Sequence, residues 1–184
     1  MPILVRAFIR APLTRWLYPT VGGRGSHLRM MFSQLIDDAG NGSVVLAYQG
    51  GTAVGAVLWK TCPARDETAP AVTGFSTVDP GNARLAELAD RLAHCHPAEP
   101  HECLQALAVL PDREGQGVAG ALLASATTRA PMSRFLLTPG QLWGLLHRLG
   151  YRPCGEQIVL PHAGPRLQPF WFAAPLPQPK ETKR

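Results

Sequence analysis

Apolar residues recur along the chain in two rhythms, and the switches between them mark its elements. Leu28, Met31, Phe32, Leu35, Ile36 and Ala39 fall three and four apart, one face of a helix that Ser26 can cap and that Gly-Asn-Gly at 40–42 stops. "SVVLAYQGGTAVGAVLW" then gives two β-rich runs that turn back on each other at Gly50-Gly51. The helical rhythm returns near Asn82 with Leu85, Leu88, Ala89, Leu92 and Ala93, and Pro97 and Pro100 end it. "ECLQALAVL" suits a central strand, a glycine-rich turn follows, and "VAGALLASA" opens a helix that ends near Arg129. Beyond it "SRFLLT" predicts a strand, and Leu142, Leu145, Leu146 and Leu149 a helix stopped by Gly150. "QIVL" and "PFWFAA" predict two late strands, and "PLPQPKETKR", residues 175–184, a disordered tail.

This alternation predicts a mixed α/β protein with a core sheet. Its 184 residues suit one domain, spanning 1–174. No apolar stretch reaches the ~20 residues of a membrane helix. "MPILVRAFIRAPLTRW" is broken by arginines and lacks a small-residue cleavage signal, so no secretory leader, no membrane partner and a cytoplasmic location are expected.

The net charge of +5 is unevenly spread, at +5 over residues 1–30, −5 over 31–110 and +5 over 111–184. The basic ends can attract a polyanion such as tRNA, although a solvated surface is the commonest explanation of such charge. Cys62, Cys95, Cys103 and Cys154 show no Cys-x-x-Cys pairing and are expected as free thiols. "HCHPAEPHEC" crowds His94, Cys95, His96, His101 and Cys103 together, but without the two ligand pairs of a zinc motif it predicts no metal.

The chemistry concentrates in "PDREGQGVAG", residues 111–120. A strand feeding a glycine turn that opens a helix brings unsatisfied amides and the helix dipole to one point, where an anion fits. Val118 after Gly117 rules out the Gly-Lys-Ser/Thr of a triphosphate loop, and the glycines lack dinucleotide-site spacing. Glu114 at the mouth of the turn opposes an anion.

"LQALAVLPDREGQGVAGALLASA" resembles motif A of the GNAT superfamily of N-acetyltransferases, which binds the diphosphate of acetyl-coenzyme A. "LLHRLGYRP" is similar to the family's late helix, and the 43–59 segment to its central hairpin. "APLTRWLYP" and "HPAEPHECLQALAV" further resemble the branch that contains puromycin N-acetyltransferase. The likeness spans roughly residues 5–172. It implies a mostly antiparallel sheet flanked by helices, with a V-shaped splay between strands at 103–110 and 134–138 that receives the pantetheine arm. Backbone groups of Leu107 and Val109 are then expected on that arm. Arg113, Gly115, Gln116, Gly117, Val118, Ala119 and Gly120 surround the diphosphate, and the amide near Val109 meets the developing oxyanion.

Three positions depart from the family pattern. Glu114 follows Arg113 where Arg or Gln is usual, Leu146 replaces the tyrosine that protonates the leaving thiolate, and Leu142 stands near a missing asparagine. Glu102 and Cys103 occupy a usually aromatic strand entry. Transfer to an amine still needs a base, for which Glu102 and His101 are the candidates, while Cys103 lacks a visible His-Asp escort for a nucleophile.

The expected activity is acyl transfer, acetyl first, from coenzyme A to a primary amine on a small molecule. The first helices and the loop at 61–80 are expected to shape the acceptor pocket. Two alternatives stand beside it: an aminoacyl-tRNA-dependent amide-forming transferase of natural-product biosynthesis, and a non-catalytic binding subunit.

Overall fold

The structure is a computed structural model that describes residues 1–40, 43–64, 82–129 and 132–174. The expected tail at 175–184, most of the 61–80 loop and the end of the Gly-Asn-Gly turn lie outside the described residues.

Three helices open the chain, α1 (Pro2–Phe8), α2 (Pro12–Leu17) and α3 (Arg24–Ala39). The hairpin β1 (Val44–Gln49) and β2 (Thr52–Cys62) turns at Gly50 and Gly51, both with left-handed φ, of 54° and 75°. Next come α4 (Ala83–Cys95), β3 (His101–Val109), α5 (Val118–Arg129), β4 (Arg134–Pro139) and α6 (Trp143–Arg148). The short strands β5 (Arg152–Pro153) and β6 (Ile158–Val159) and the longer β7 (Arg166–Phe172) end the described chain.

The seven strands form one sheet in the order β1-β2-β3-β4-β7-β5, with β6 also on β7. Every pairing is antiparallel except β3 with β4. This is the mixed, mostly antiparallel sheet flanked by helices that the sequence predicts.

Helices cover both faces, so β2 is buried continuously from Val54 to Trp59 instead of alternating. On one face Leu28, Phe32 and Leu35 of α3 and Leu85 and Leu88 of α4 pack with Leu4, Trp16, Leu58 and Ala106. On the other, Leu122 and Leu123 of α5 and Leu146 of α6 pack with Val57, Trp59, Leu136 and Phe170. Each such large apolar side chain contributes about 1.5–3 kcal/mol on burial.

Two local expectations change. Helix α3 begins at Arg24 after Gly23, whose φ of 81° needs glycine, so the cap is Gly23 and not Ser26. Ser26 Oγ instead accepts from Arg29 at 3.0 Å. Arg24, one of the basic N-terminal residues, points inward and donates to the carbonyls of Tyr18 and Pro19 at 2.9 and 3.0 Å, fixing the turn into α3. It therefore adds nothing to a basic outer face.

Candidate functional site

The expected strand, turn and helix form as β3, a 3₁₀ turn at Pro111–Arg113 and α5. Gly115 and Gly117 take φ of 75° and 80°, and a Cβ on either would meet nothing within 4 Å, so the turn is open on its outer side. Gly120 is not forced in this way, since its Cβ would make an ordinary 3.5 Å contact with Leu145. The first helical bond of α5 runs from Ala121 N–H to Gly117 O at 3.0 Å. The amides of Val118, Ala119 and Gly120 thus lack helical acceptors and stand at the positive end of the dipole.

Close seating of α5 on the sheet depends on Gly55 of β2. A Cβ there would lie 2.8 Å from Val118 Cγ1, 3.0 Å from Leu122 Cδ1 and 3.1 Å from Ala108 O. Around the turn, Gln116 leans back on the Asp112 carbonyl at 3.4 Å. Arg113 and Glu114 are both exposed, and Arg113 Nε lies 3.6 Å from Asp112.

The turn sits at the open end of a gap. Strands β3 and β4 share only two register pairs, Glu102 with Arg134 and Cys103 with Phe135, and then part. Just past the last shared pair, the β2–β3 register slips: Leu58 pairs with Ala106 and Trp59 with Leu104, which leaves Gln105 as a bulged extra residue. Beyond the bulge, Leu110 N–H donates to Val54 O at 2.9 Å on the β2 side. Successive strand residues turn their backbone groups to opposite sides, so those of Val109 and Leu107 face the gap. Gln105 has no motif to mark it; a bulge is visible only when two strands are laid in register.

At the closed end of the gap, Arg134 Nε donates to Glu102 Oε2 at 3.1 Å, and a second guanidinium nitrogen donates to Ala126 O at 2.6 Å. Both side chains are buried, on the α5/α6 face. The guanidinium lies 5.9 Å from the Trp59 ring centroid and 5.6 Å from that of Phe172. Leu146, at the position of the missing tyrosine, is fully buried in the same cluster. A phenol does reach this region from elsewhere. Tyr151 N–H bonds to Leu146 O at 3.0 Å, and the side chain enters the cluster with its hydroxyl buried and, among the described residues, without a hydrogen-bond partner. Burial pushes that phenol up to about 12, against a downward pull from Arg134.

His101 lies on the opposite face from Glu102, so the two candidate bases do not act on one proton together. Its side chain is fully buried, edge-on to Phe135 and Trp171, and Nδ1 is 2.6 Å from Glu99 O. Cross-strand pairing puts Cys62 directly opposite His101, and His96 Nε2 is 3.8 Å from Cys62 Sγ. The neighbouring Cys103, and then His101 and His96, lower the Cys62 thiol against the upward push of its burial, while the proximity of Cys62 and burial raise Cys103. Burial alone would lower His101, but its contacts with Cys62 and the Glu99 carbonyl outweigh that and raise it. The sequence groups His96, His101 and Cys103 but misses Cys62, which enters only through the sheet register.

Two hollows lie away from the gap. One, of about 390 Å³, is lined by His94, Cys95, Glu99, Cys154 and Trp171, and the other, of about 530 Å³, by Tyr18, His27, Asn82 and Arg84 among others. Neither includes a residue of the diverging strands. No helix among the described residues is long and apolar enough to cross a membrane.

No family model matches the chain, and no curated protein matches it either. Solved structures do. The chain is similar to the Corynebacterium glutamicum "histone acetyltransferase HPA2 and related acetyltransferase", with a TM-score of 0.72 and 24% identity over 97% of this chain and 91% of that one. It is similar to the polyamine N-acetyltransferase of Drosophila melanogaster, which forms N-acetylagmatine, with a TM-score of 0.64, 16% identity and coverage of 93% and 91%. A putative arylalkylamine N-acetyltransferase from the yellow fever mosquito gives a TM-score of 0.60, 13% identity and coverage of 93% and 80%. The fold is that of the GNAT N-acetyltransferases. The likeness to the puromycin branch in particular finds no match among these neighbours.

Proposed function

We propose that the chain is an N-acyltransferase that passes an acyl group, acetyl first, from a coenzyme A thioester to a primary amine of a small molecule. The observation that carries this reading is the gap itself: two strands joined by two register pairs at one end, with an amide-lined glycine turn at the other. An extended pantetheine arm can add to β3 as a strand would, through the backbone groups of Leu107 and Val109. The amides around Gly115, Gln116, Gly117, Val118, Ala119 and Gly120 would hold the diphosphate, with Arg113 free to turn from Asp112 towards it.

In the transfer, the amine lone pair attacks the thioester carbonyl carbon and the C–S bond breaks. The oxyanion would meet the inward amide of Val109. The amine must shed a proton and the thiolate must gain one. We assign the first task to Glu102, acting through water from its ion pair with Arg134, with His101 as the rival on the other face. The buried hydroxyl of Tyr151 is the candidate for the second. The acceptors named for similar structures, agmatine, polyamines and arylalkylamines, make small cationic amines the first class to try. A donor carried on RNA would draw on Glu114, the missing tyrosine at Leu146 and the basic termini, but Arg24 of those termini is already committed internally.

The test is titration of the purified chain with acetyl-coenzyme A, followed by an assay of free thiol with polyamines, arylalkylamines and amine antibiotics. Binding together with amine-dependent thiol release is the expected result. An absence of both, for every amine tried, defeats the proposal.

A further inference from the structure

We propose that Cys62, His96 and His101 form a transition-metal site suited to zinc, on the opposite face of the sheet from Glu102 and Arg134. The three donor atoms lie within 4.8 Å of one another. Tetrahedral zinc, with Zn–S of about 2.3 Å and Zn–N of about 2.0–2.1 Å, holds sulfur and nitrogen roughly 3.5 Å apart. Cys62 Sγ and His96 Nε2 stand at 3.8 Å, so this pair needs to close by only a few tenths of an ångström.

Both imidazoles are oriented for the task. A carbonyl only accepts, so His101 Nδ1 must donate to Glu99 O at 2.6 Å, and His96 Nδ1 to Pro97 O at 3.2 Å. That leaves Nε2 on each ring as the donor atom for a metal. Such a carbonyl partner is how metal-ligating histidines are usually held. His101 Nε2 supplies the second, independent sign: it is fully buried, has no hydrogen-bond partner among the described residues and lies within 4.8 Å of the Cys62 sulfur. Leaving a buried polar atom without a partner is costly, and a bound metal would remove that cost.

Cysteine with two histidines favours zinc among common divalent ions. Cys103, although on the same face of β3 as His101, is not among the three clustered donors, so water is left to fill the fourth position. Cys62 and His96 are each half-buried, which leaves a path of entry, and on binding the thiol proton passes to solvent. The ion would tie together the end of β2, the start of β3 and the loop after α4. None of this depends on acyl transfer.

The experiment uses the full chain, reduced, stripped with chelator and titrated first with Co²⁺ and then with Zn²⁺. One Co²⁺ per chain is expected, with sulfur-to-cobalt charge-transfer absorption and tetrahedral visible bands that one Zn²⁺ abolishes, and zinc should raise Tm. Cys62→Ser should remove the charge-transfer bands. His96→Gln, on a half-exposed loop and so safe for folding, should weaken binding about 100-fold or more, beyond the cost of losing an outer partner. Cys95→Ser should change nothing. The site is refuted if the reduced wild type gives no cobalt spectrum, if Cys62→Ser binds as the wild type does, or if a Cys62–Cys103 disulfide forms in the presence of metal.

Discussion

Arg134 and Glu102 meet across the first register pair of the parallel β3–β4 contact, 3.1 Å apart and 1% and 6% exposed at their side chains. The pair closes the gap at the point where the strands begin to part. Arg134→Leu would strip the guanidinium from a buried carboxylate and from the Ala126 carbonyl, at a cost of about 3–5 kcal/mol. The double change Glu102→Leu/Arg134→Leu should recover most of that loss. Urea denaturation of the two single variants and the double variant measures the coupling, and additive costs would show that the pair does not act as a unit.

Glycine positions around α5 separate two effects. Gly55→Ala sets a Cβ 2.8 Å from Val118 Cγ1 and 3.1 Å from a backbone oxygen, so α5 must lift from the sheet. We expect a loss of about 1–3 kcal/mol and weaker donor binding, since the turn moves with the helix. Gly120→Ala meets only Leu145 at 3.5 Å and should be neutral, or stabilise by up to about 1 kcal/mol. Thermal melts with and without acetyl-coenzyme A check both, and equal effects at the two sites would contradict the packing argument.

The elements legible in the sequence are those whose signal is local. Apolar periodicity places α3 and α4, Gly50-Gly51 places the hairpin, and a contiguous run places β3, its glycine turn and α5. Helices α1 and α2, at seven and six residues, are too short to show a period, and α6 is six residues where four leucines suggest more. What the sequence cannot display is register. Cys62 faces His101, and Glu102 bonds to a residue 32 positions away, only because strands align so. Tyr151 escapes for a related reason: it follows the helix in which a hydroxyl is expected and enters the cluster from outside it.

Glu114 tests the electrostatics of the turn. It is exposed beside amides proposed to hold a diphosphate, and two like charges 4 Å apart repel by about 1 kcal/mol in water. Glu114→Gln should tighten coenzyme A binding several-fold at low salt, and the gain should shrink as ionic strength screens the removed repulsion. Titration calorimetry at two salt concentrations reads it. No change at low salt would place the diphosphate away from this turn.

Tyr151 joins stability to chemistry. Its hydroxyl has no hydrogen-bond partner among the described residues, so Tyr151→Phe should leave stability near neutral pH unchanged or slightly higher. The folded phenol keeps its proton to about 12 against an ordinary 10, so the unfolded chain ionises first. Burial of the neutral phenol therefore carries no ionisation cost below pH 10, and stability falls as pH rises from 10 through 12, at about 1.4 kcal/mol per unit and roughly 3 kcal/mol in all. Urea midpoints at pH 8 and pH 11 should therefore fall further for the wild type than for the Phe variant. If the same hydroxyl protonates the leaving thiolate, Tyr151→Phe lowers kcat by about 10²-fold or more with acetyl-coenzyme A and leaves KM near its original value. A thioester with a more acidic thiol needs less help to depart, so the deficit should narrow with that donor. An equal deficit with both donors would reduce Tyr151 to a packing residue, with its buried hydroxyl unexplained by the transfer step.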